Sequence, residues 1–143
     1  MDYRAIFQIA AAGMDLEKRR VDVAALNLAN MNSSVPAGQS PYAAQRVLAA
    51  PLQVNFNRAM GLAEPALLPR DVKVVATDSA PRLVHEPGHP HADAQGFVAY
   101  AAIDQATEMV TVSTALRAYE ANVAVASTAR VMAAKALEIG GQG

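Results

Sequence analysis

From Ile103 to Ile139 the chain runs without a single proline or glycine. That uninterrupted stretch constrains everything else. Met109, Val112, Leu116, Tyr119, Val123, Ala126, Arg130, Ala133 and Leu137 follow one another at alternating spacings of three and four, the rhythm of a and d positions in a coiled-coil seam. Asp104 suits the N-terminal end, where an acid complements the helix dipole, and Gly140-Gly141 supplies the residue type that ends helices. At 1.5 Å per residue such a helix is about 55 Å long, too long for the inside of a compact domain of this size. Val110, Ala115, Ala118, Ala121, Ala124, Val125, Ala129, Val131, Met132 and Ala136 carry apolar surface well outside the stripe, whereas a surface helix keeps an opposite polar face. A helix apolar on several sides needs several neighbours. The chain offers too few other long helical segments to surround it, so assembly with other copies or relatives is favoured over a monomeric bundle.

A second helix is read from Arg4 to Asn30. Ile9, Ala12, Leu16, Arg19, Val23, Leu26 and Asn30 repeat the same alternation, so the two ends of the chain are built alike. Arg19 and Arg130 each place a charge in a seam, a device that selects register or partner at a cost in stability. Gly13 permits close approach of another backbone at about 1 kcal/mol of helix propensity. Asn27 and Asn30 bracket Leu28-Ala29 near the helix end, where amides can cap carbonyls or bond a neighbouring chain. The residues expected to form the assembly interface are Ile9, Leu16, Val23, Leu26, Asn27 and Asn30 on the first helix. On the second they are Met109, Val112, Leu116, Tyr119, Asn122, Val123 and Leu137. With little more than seam burial to offset the conformational entropy of two long helices, the isolated chain is expected to have partly disordered ends that become helical on packing.

Between the helices the sequence changes character. Met31 to Pro41 is a loop by composition, with strands expected at Gln45–Leu48, Leu52–Phe56, Val72–Thr77, Arg82–His85 and Phe97–Tyr100. Glu86-Pro87-Gly88-His89-Pro90-His91-Ala92-Asp93-Ala94-Gln95-Gly96 reads as a rigid, turn-rich connection. The fold class is therefore mainly α, with long N- and C-terminal helices forming a coiled-coil-like pair and a small irregular β-rich insert between them. Residues 1–32 and 101–143 form the helical domain, and 33–100 form the insert.

A net charge of −1 and a pI near 6.3 give no electrostatic reason to expect nucleic acid or an anionic membrane as partner. Arg4 before an uncharged run has the outline of a signal peptide, but Asp2 spoils the basic n-region and the helical pattern continues past any cleavage point. An uncleaved helix is the better reading. No run reaches the roughly 18 to 20 apolar residues of a spanning helix, so direct membrane insertion is not expected. With no cysteine, disulfides, thiolate metal sites and cysteine nucleophiles are absent together. His85, His89 and His91 with Glu86 and Asp93 are the sole group resembling a ligand set. Pro87 and Pro90 fix the loop between them, and turn-bonded histidines are the stronger reading than a metal site. No nucleophile elbow, phosphate-binding loop or dinucleotide fingerprint is present, so neither catalysis nor a cofactor is expected.

Several stretches together resemble a known family. Ile6-Phe7-Gln8-Ile9-Ala10 leads to Asn27-Leu28-Ala29-Asn30 at the end of the first helix. Arg117-Ala118-Tyr119-Glu120-Ala121-Asn122 and Lys135-Ala136-Leu137-Glu138-Ile139-Gly140 lie in the second. These are similar to the terminal signatures of the flagellar basal-body rod proteins, and the stretch from Glu86 to Val98 resembles the proximal-rod type within that family. Ala101-Ala102-Ile103-Asp104 departs from the family's Pro-Asn-Val-Asp, and Ala43 and Ala44 stand where basic residues are common. The resemblance implies a structural rod subunit, exported uncleaved through the flagellar type III apparatus, located in the periplasmic part of the basal body and assembled with other rod proteins and copies of itself. It implies terminal helices lining the inside of the tube, outer contacts made by the insert, and torque carried from motor to hook by many helix contacts. Two other classes compete: a helical adaptor or secretion-associated chaperone, and a metal-dependent enzyme built on the histidine loop.

Overall fold

The computed structural model describes residues 3–36, 38–49 and 72–140. Helix α1 spans Tyr3–Asn30 and helix α2 spans Gln105–Gly140. The strand expected at Leu52–Phe56 lies outside the described residues. The other four are β1 (Gln45–Ala49), β2 (Val72–Ala76), β3 (Arg82–His85) and β4 (Phe97–Tyr100). Two long terminal helices packed together, with small two-stranded sheets between them in sequence, are the architecture expected from the pattern. No described helix is long and apolar enough to cross a membrane.

The helix ends follow from local chemistry. Asp104 caps α2: its Oδ2 accepts the Thr107 N–H at 2.9 Å and the Thr107 hydroxyl as well, satisfying one of the donors that a helix start leaves unpaired. These hydrogen bonds hold the Asp104 carboxyl below its ordinary value, the Thr107 hydroxyl contributing most. At the end of α1, the Asn30 Nδ2 donates to the Leu26 carbonyl at 2.8 Å, while the Ser33 N–H and hydroxyl both donate to the Asn30 carbonyl.

By packing, the chain divides into two compact units. Among the described residues, the first holds 3–19, 49, 72–73 and 115–140, and therefore the beginning of α1 with most of α2. Its buried helix positions are Ala10, Glu17, Ala115 and Ala129. Gly13 lies against Asn122 so closely that a Cβ on the glycine would stand 2.6 Å from the Asn122 Oδ1.

The second unit holds, among the described residues, 20–36, 38–48 and 74–114. Its buried set is Val23, Ala24, Asn27, Ala44, Val98, Ala101 and Glu108. β1 pairs with β2, and the Thr77 N–H, just past the end of β2, donates to the Ala44 carbonyl just before β1 at 2.7 Å. β3 pairs antiparallel with β4, with Leu83 opposite Ala99 and Val84 opposite Val98. The connection between β3 and β4 is bonded to itself: the Asp93 Oδ1 accepts the N–H groups of Gln95 and Phe97, and the Glu86 N–H donates to the Gly96 carbonyl. Gly96 has φ +83°, and a Cβ there would meet His85 and Pro87 at 3.1 Å. Glycine is required at that turn.

The buried line on each helix is displaced by one residue from the apolar alternation read in the sequence. On α2, the fully covered positions are Glu108, Ala115 and Ala129, with Asn122 half-covered between them, while Met109, Leu116, Tyr119 and Val123 are exposed. On α1, Ala10, Glu17, Ala24 and Asn27 are covered and Ile9 and Leu26 exposed, while Val23 of the expected seam is covered as well. Small side chains let two helix backbones approach closely, and the larger residues beside them are then turned about 100° away.

Candidate assembly surface

The outward residues of α2 include Met109, Val110, Leu116, Tyr119, Val123, Val125, Val131, Met132, Leu137 and Ile139. Leu137 and Ile139, near the helix end, are 77% and 79% exposed. On α1, Phe7, Ile9 and Leu26 are exposed. Single exposed apolar residues are ordinary, but a row of them along a continuous helix marks an interaction surface. Of the expected interface residues, Ile9, Leu26, Met109, Leu116, Tyr119, Val123 and Leu137 therefore stand outward. Leu16, Asn30, Val112 and Asn122 are half-buried, and Val23 and Asn27 are buried within the chain.

Asn27 is the centre of a polar node in the second unit. Its side chain is 0% exposed, and every hydrogen-bonding valence of its amide is used. Nδ2 donates to the Gln45 carbonyl at 2.9 Å and to the Glu108 Oε2 at 3.1 Å. Oδ1 accepts the Gln45 N–H at 2.9 Å and the Tyr42 hydroxyl at 3.1 Å. The amide thus engages both backbone groups of Gln45 at the start of β1, which fixes which way its oxygen and nitrogen point. Glu108, also 0% exposed, receives the Arg46 Nη1 on its other oxygen. A buried carboxylate is tolerable only when paired and hydrogen-bonded, and here both conditions hold. Burial, and secondarily the Glu108 charge, raise the Tyr42 phenol above its ordinary value.

Glu108, Arg46, Tyr42 and Gln45 were not singled out by sequence reasoning. The available signal was a charge placed in the first turns of a charge-poor helix and a single arginine beside Ala43 and Ala44. Their meeting depends on side chains as far apart in sequence as Asn27 and Glu108, which no local pattern reports.

The histidines serve the β3–β4 connection. The His91 Nδ1 lies 2.9 Å from the Ser34 hydroxyl, and the His89 Nδ1 accepts the His91 N–H at 3.0 Å. His85 packs edge-on against Phe97, and His89 against Tyr100. The Tyr100 hydroxyl donates to Glu86 at 2.9 Å, the chief reason its phenol is raised above its ordinary value. Among the described residues, no group of three or more His, Cys, Asp or Glu side chains is placed to hold a metal ion.

Residues 94–139, covering β4 and nearly all of α2, match the family model described as the flagellar basal body rod FlgEFG protein C-terminal region. That match sets the outward-facing helix in the class of flagellar rod proteins. Over 135 residues the chain is 38% identical to the flagellar basal-body rod protein FlgC of Escherichia coli O6:H1, covering 94% of this chain and 96% of the relative. Identity and coverage are the same for FlgC of Salmonella typhimurium. For FlgC of Bacillus subtilis, identity is 30% over 141 residues, covering 92% of this chain and 94% of the relative. The chain belongs to the FlgC family of flagellar basal-body rod proteins.

Proposed function

We propose that this chain is a structural, non-enzymatic subunit of the flagellar basal-body rod that joins its neighbours through the outward apolar faces of its two long helices. The observation that carries the reading is the row Met109, Leu116, Tyr119, Val123 and Leu137, exposed along one continuous helix. Family membership supports assembly with rod proteins. Both residues 1–32 and 101–143 belong to the inner tube of the rod, the insert 33–100 makes outer contacts, and neighbours include copies of this chain. Heterologous contacts that do not close on themselves generate helical filaments, the symmetry a drive shaft needs. Torque from motor to hook is then spread over many helix contacts rather than concentrated in one bond. Delivery through the type III export apparatus accords with an uncleaved N-terminal helix, and coverage of the outward faces by neighbours stabilises helices that hold each other through a narrow seam.

The test is purification of hook–basal bodies from the source bacterium, with mass spectrometry for this chain and a deletion strain as control. The chain is expected in the complex, and the deletion is expected to stop the rod at the inner-membrane ring. Complete, working flagella in the deletion strain would overturn the assignment and make an adaptor role the leading alternative.

A further inference from the structure

We infer that His89 is an acid-sensitive latch in the insert: neutral, it holds the β3–β4 connection closed against the loop that follows α1, and protonated, it releases that connection. The inference rests on the rod-subunit reading only for its use, because the insert is there the part that makes outer contacts. A surface whose shape follows pH then bears on a neighbour.

Every part of the latch lies in the second unit. The half-buried His89 is fixed at its backbone from both sides: its N–H donates to the Glu86 carbonyl and its carbonyl accepts the Ala92 N–H, each at 3.0 Å. Its Nδ1 receives the His91 N–H at 3.0 Å across Pro90, which has no N–H of its own to offer. A backbone N–H can only donate, so Nδ1 is the unprotonated nitrogen of the ring, and the proton of the neutral imidazole is on Nε2. An imidazolium carries a proton on both nitrogens. Protonated His89 therefore sets N–H against N–H and leaves the His91 amide without its acceptor.

The groups around the ring decide whether anything offsets that loss. The His91 ring, 5.3 Å away, repels a charged His89 once it is charged itself. Tyr100 faces His89 edge-on at 6.3 Å, with the Arg82 guanidinium 5.2 Å from the Tyr100 ring centre. His85 packs on Phe97. Glu86 and Asp93 attract an imidazolium, but the first accepts the Tyr100 hydroxyl and the second accepts the Gln95 and Phe97 N–H groups. Neither bond involves His89, so that attraction acts on the closed and the opened connection alike. Histidine is the side chain whose charge ordinarily changes between about pH 5 and 8. The closed form excludes a proton from Nδ1 that the open form accepts, so closure is complete at the alkaline side of that range and is lost as pH falls through it.

What the latch holds is a join between two loops. The His91 Nδ1 lies 2.9 Å from the Ser34 hydroxyl, and Ser34 forms an isolated bridge to Tyr100 of β4. His91 and Asp93 border a groove of about 240 Å³ whose other walls include Val35, Pro36, Leu83 and Phe97. Release of the His91 N–H frees the peptide that carries this imidazole, loosens its hold on Ser34 and changes the shape of the groove.

The test is amide hydrogen exchange in the purified full-length chain, followed residue by residue by NMR at about pH 7.5 and about pH 5.5, each rate being compared with that of an unstructured peptide at the same pH. Protection of the His91 N–H is expected to fall about fivefold or more on acidification, the scale of one hydrogen bond. Val98, buried and paired with Val84, should stay protected. His89→Asn removes the titrating ring and keeps an acceptor for the N–H two residues on, as asparagine does in turns, so the fall there should be less than about twofold. Equal protection of His91 at the two pH values in the natural chain, or a fall of the same size in His89→Asn, overturns the inference. Loss of protection at Val98 together with His91 also overturns it, since that is unfolding and not the opening of a latch. If asparagine does not hold the amide at the higher pH, the imidazole nitrogen shifts of His89 in the natural chain decide: a bare Nδ1 with the proton on Nε2 supports the latch, and the opposite tautomer overturns it. These readouts use the free chain and do not depend on rod assembly. Failure of the basal-body experiment therefore sinks the functional proposal and leaves the latch standing, while failure here does the reverse.

Discussion

Ala115 and Leu116 are adjacent in α2 and lie about 100° apart around its axis; the same substitution at each has opposite expected consequences. Ala115 is 2% exposed and Leu116 is 48% exposed. Ala115→Asp forces a larger side chain with a carboxylate into a covered position, a change worth about 3–5 kcal/mol from overpacking and desolvation of the charge together. Leu116→Asp gives up about half of a leucine's burial, roughly 1 kcal/mol, and about 0.5 kcal/mol of helix propensity, while its charge stays in water. With a urea slope of about 2 kcal/mol per M, the midpoint should fall by about 2 M for Ala115→Asp and by about 0.7 M for Leu116→Asp. On the proposed assembly the order of severity narrows in the rod, where Leu116 meets a neighbour and its replacement buries a charge in that interface. Leu116→Asp should therefore yield a folded chain that does not restore motility to a deletion strain. Equal midpoint shifts for the two variants, or normal motility with Leu116→Asp, would refute the division of α2 into an inner and an outer face.

Further expectations concern local contacts. Gly13→Ala gains up to about 1 kcal/mol of helix propensity but drives a Cβ into the Asn122 carboxamide, an overpacking cost of about 1–3 kcal/mol. The thermal midpoint should fall, and Asn122→Ala on top of it should recover the loss. The Asp104 carboxyl is held below its ordinary value of 3.8 by Thr107, so its contribution is present above that value and is lost as pH falls through the lower folded one. Asp104→Ala should lessen the fall in α2 helicity seen by circular dichroism on acidification below about pH 4. Tyr42 is shifted the other way, above 10.0. Its contribution is complete below that value and is lost as pH rises through the higher folded one, so Tyr42→Phe should flatten the alkaline limb of a stability profile measured by urea titration.

The limits of both helices and of β3 and β4 were legible in the sequence because short-range chemistry sets them. Asp104 and Thr107 start α2, Gly140 stands at its end, and Gly96 with Asp93 closes the turn between β3 and β4. The rotational phase of the helices was not legible to the residue. Where a helix carries apolar residues on most of its circumference, periodicity cannot say which line meets the partner. The large residues Leu116 and Val123 attracted the seam assignment that belongs to Ala115 and Asn122. What decides the phase is backbone proximity, visible only when Gly13 and Asn122 are seen together. The polar node escaped for a related reason: Asn27 reads as a cap or an interchain contact until Gln45 and Glu108 are brought to it. The histidine loop was read from its prolines as turn-bonded, and its imidazoles bond or pack against Ser34, Phe97 and Tyr100.

Single cysteines placed along α2 and probed with a maleimide, in the free chain and in purified basal bodies, compare its two faces in both states. At Met109, Leu116, Val123 and Leu137, labelling should be rapid in the free chain and at least tenfold slower in the rod. At Ala115 and Ala129, it should be slow in both. Equal labelling of the first four positions in free chain and rod would contradict the account, since the outward face of α2 would then meet no neighbour.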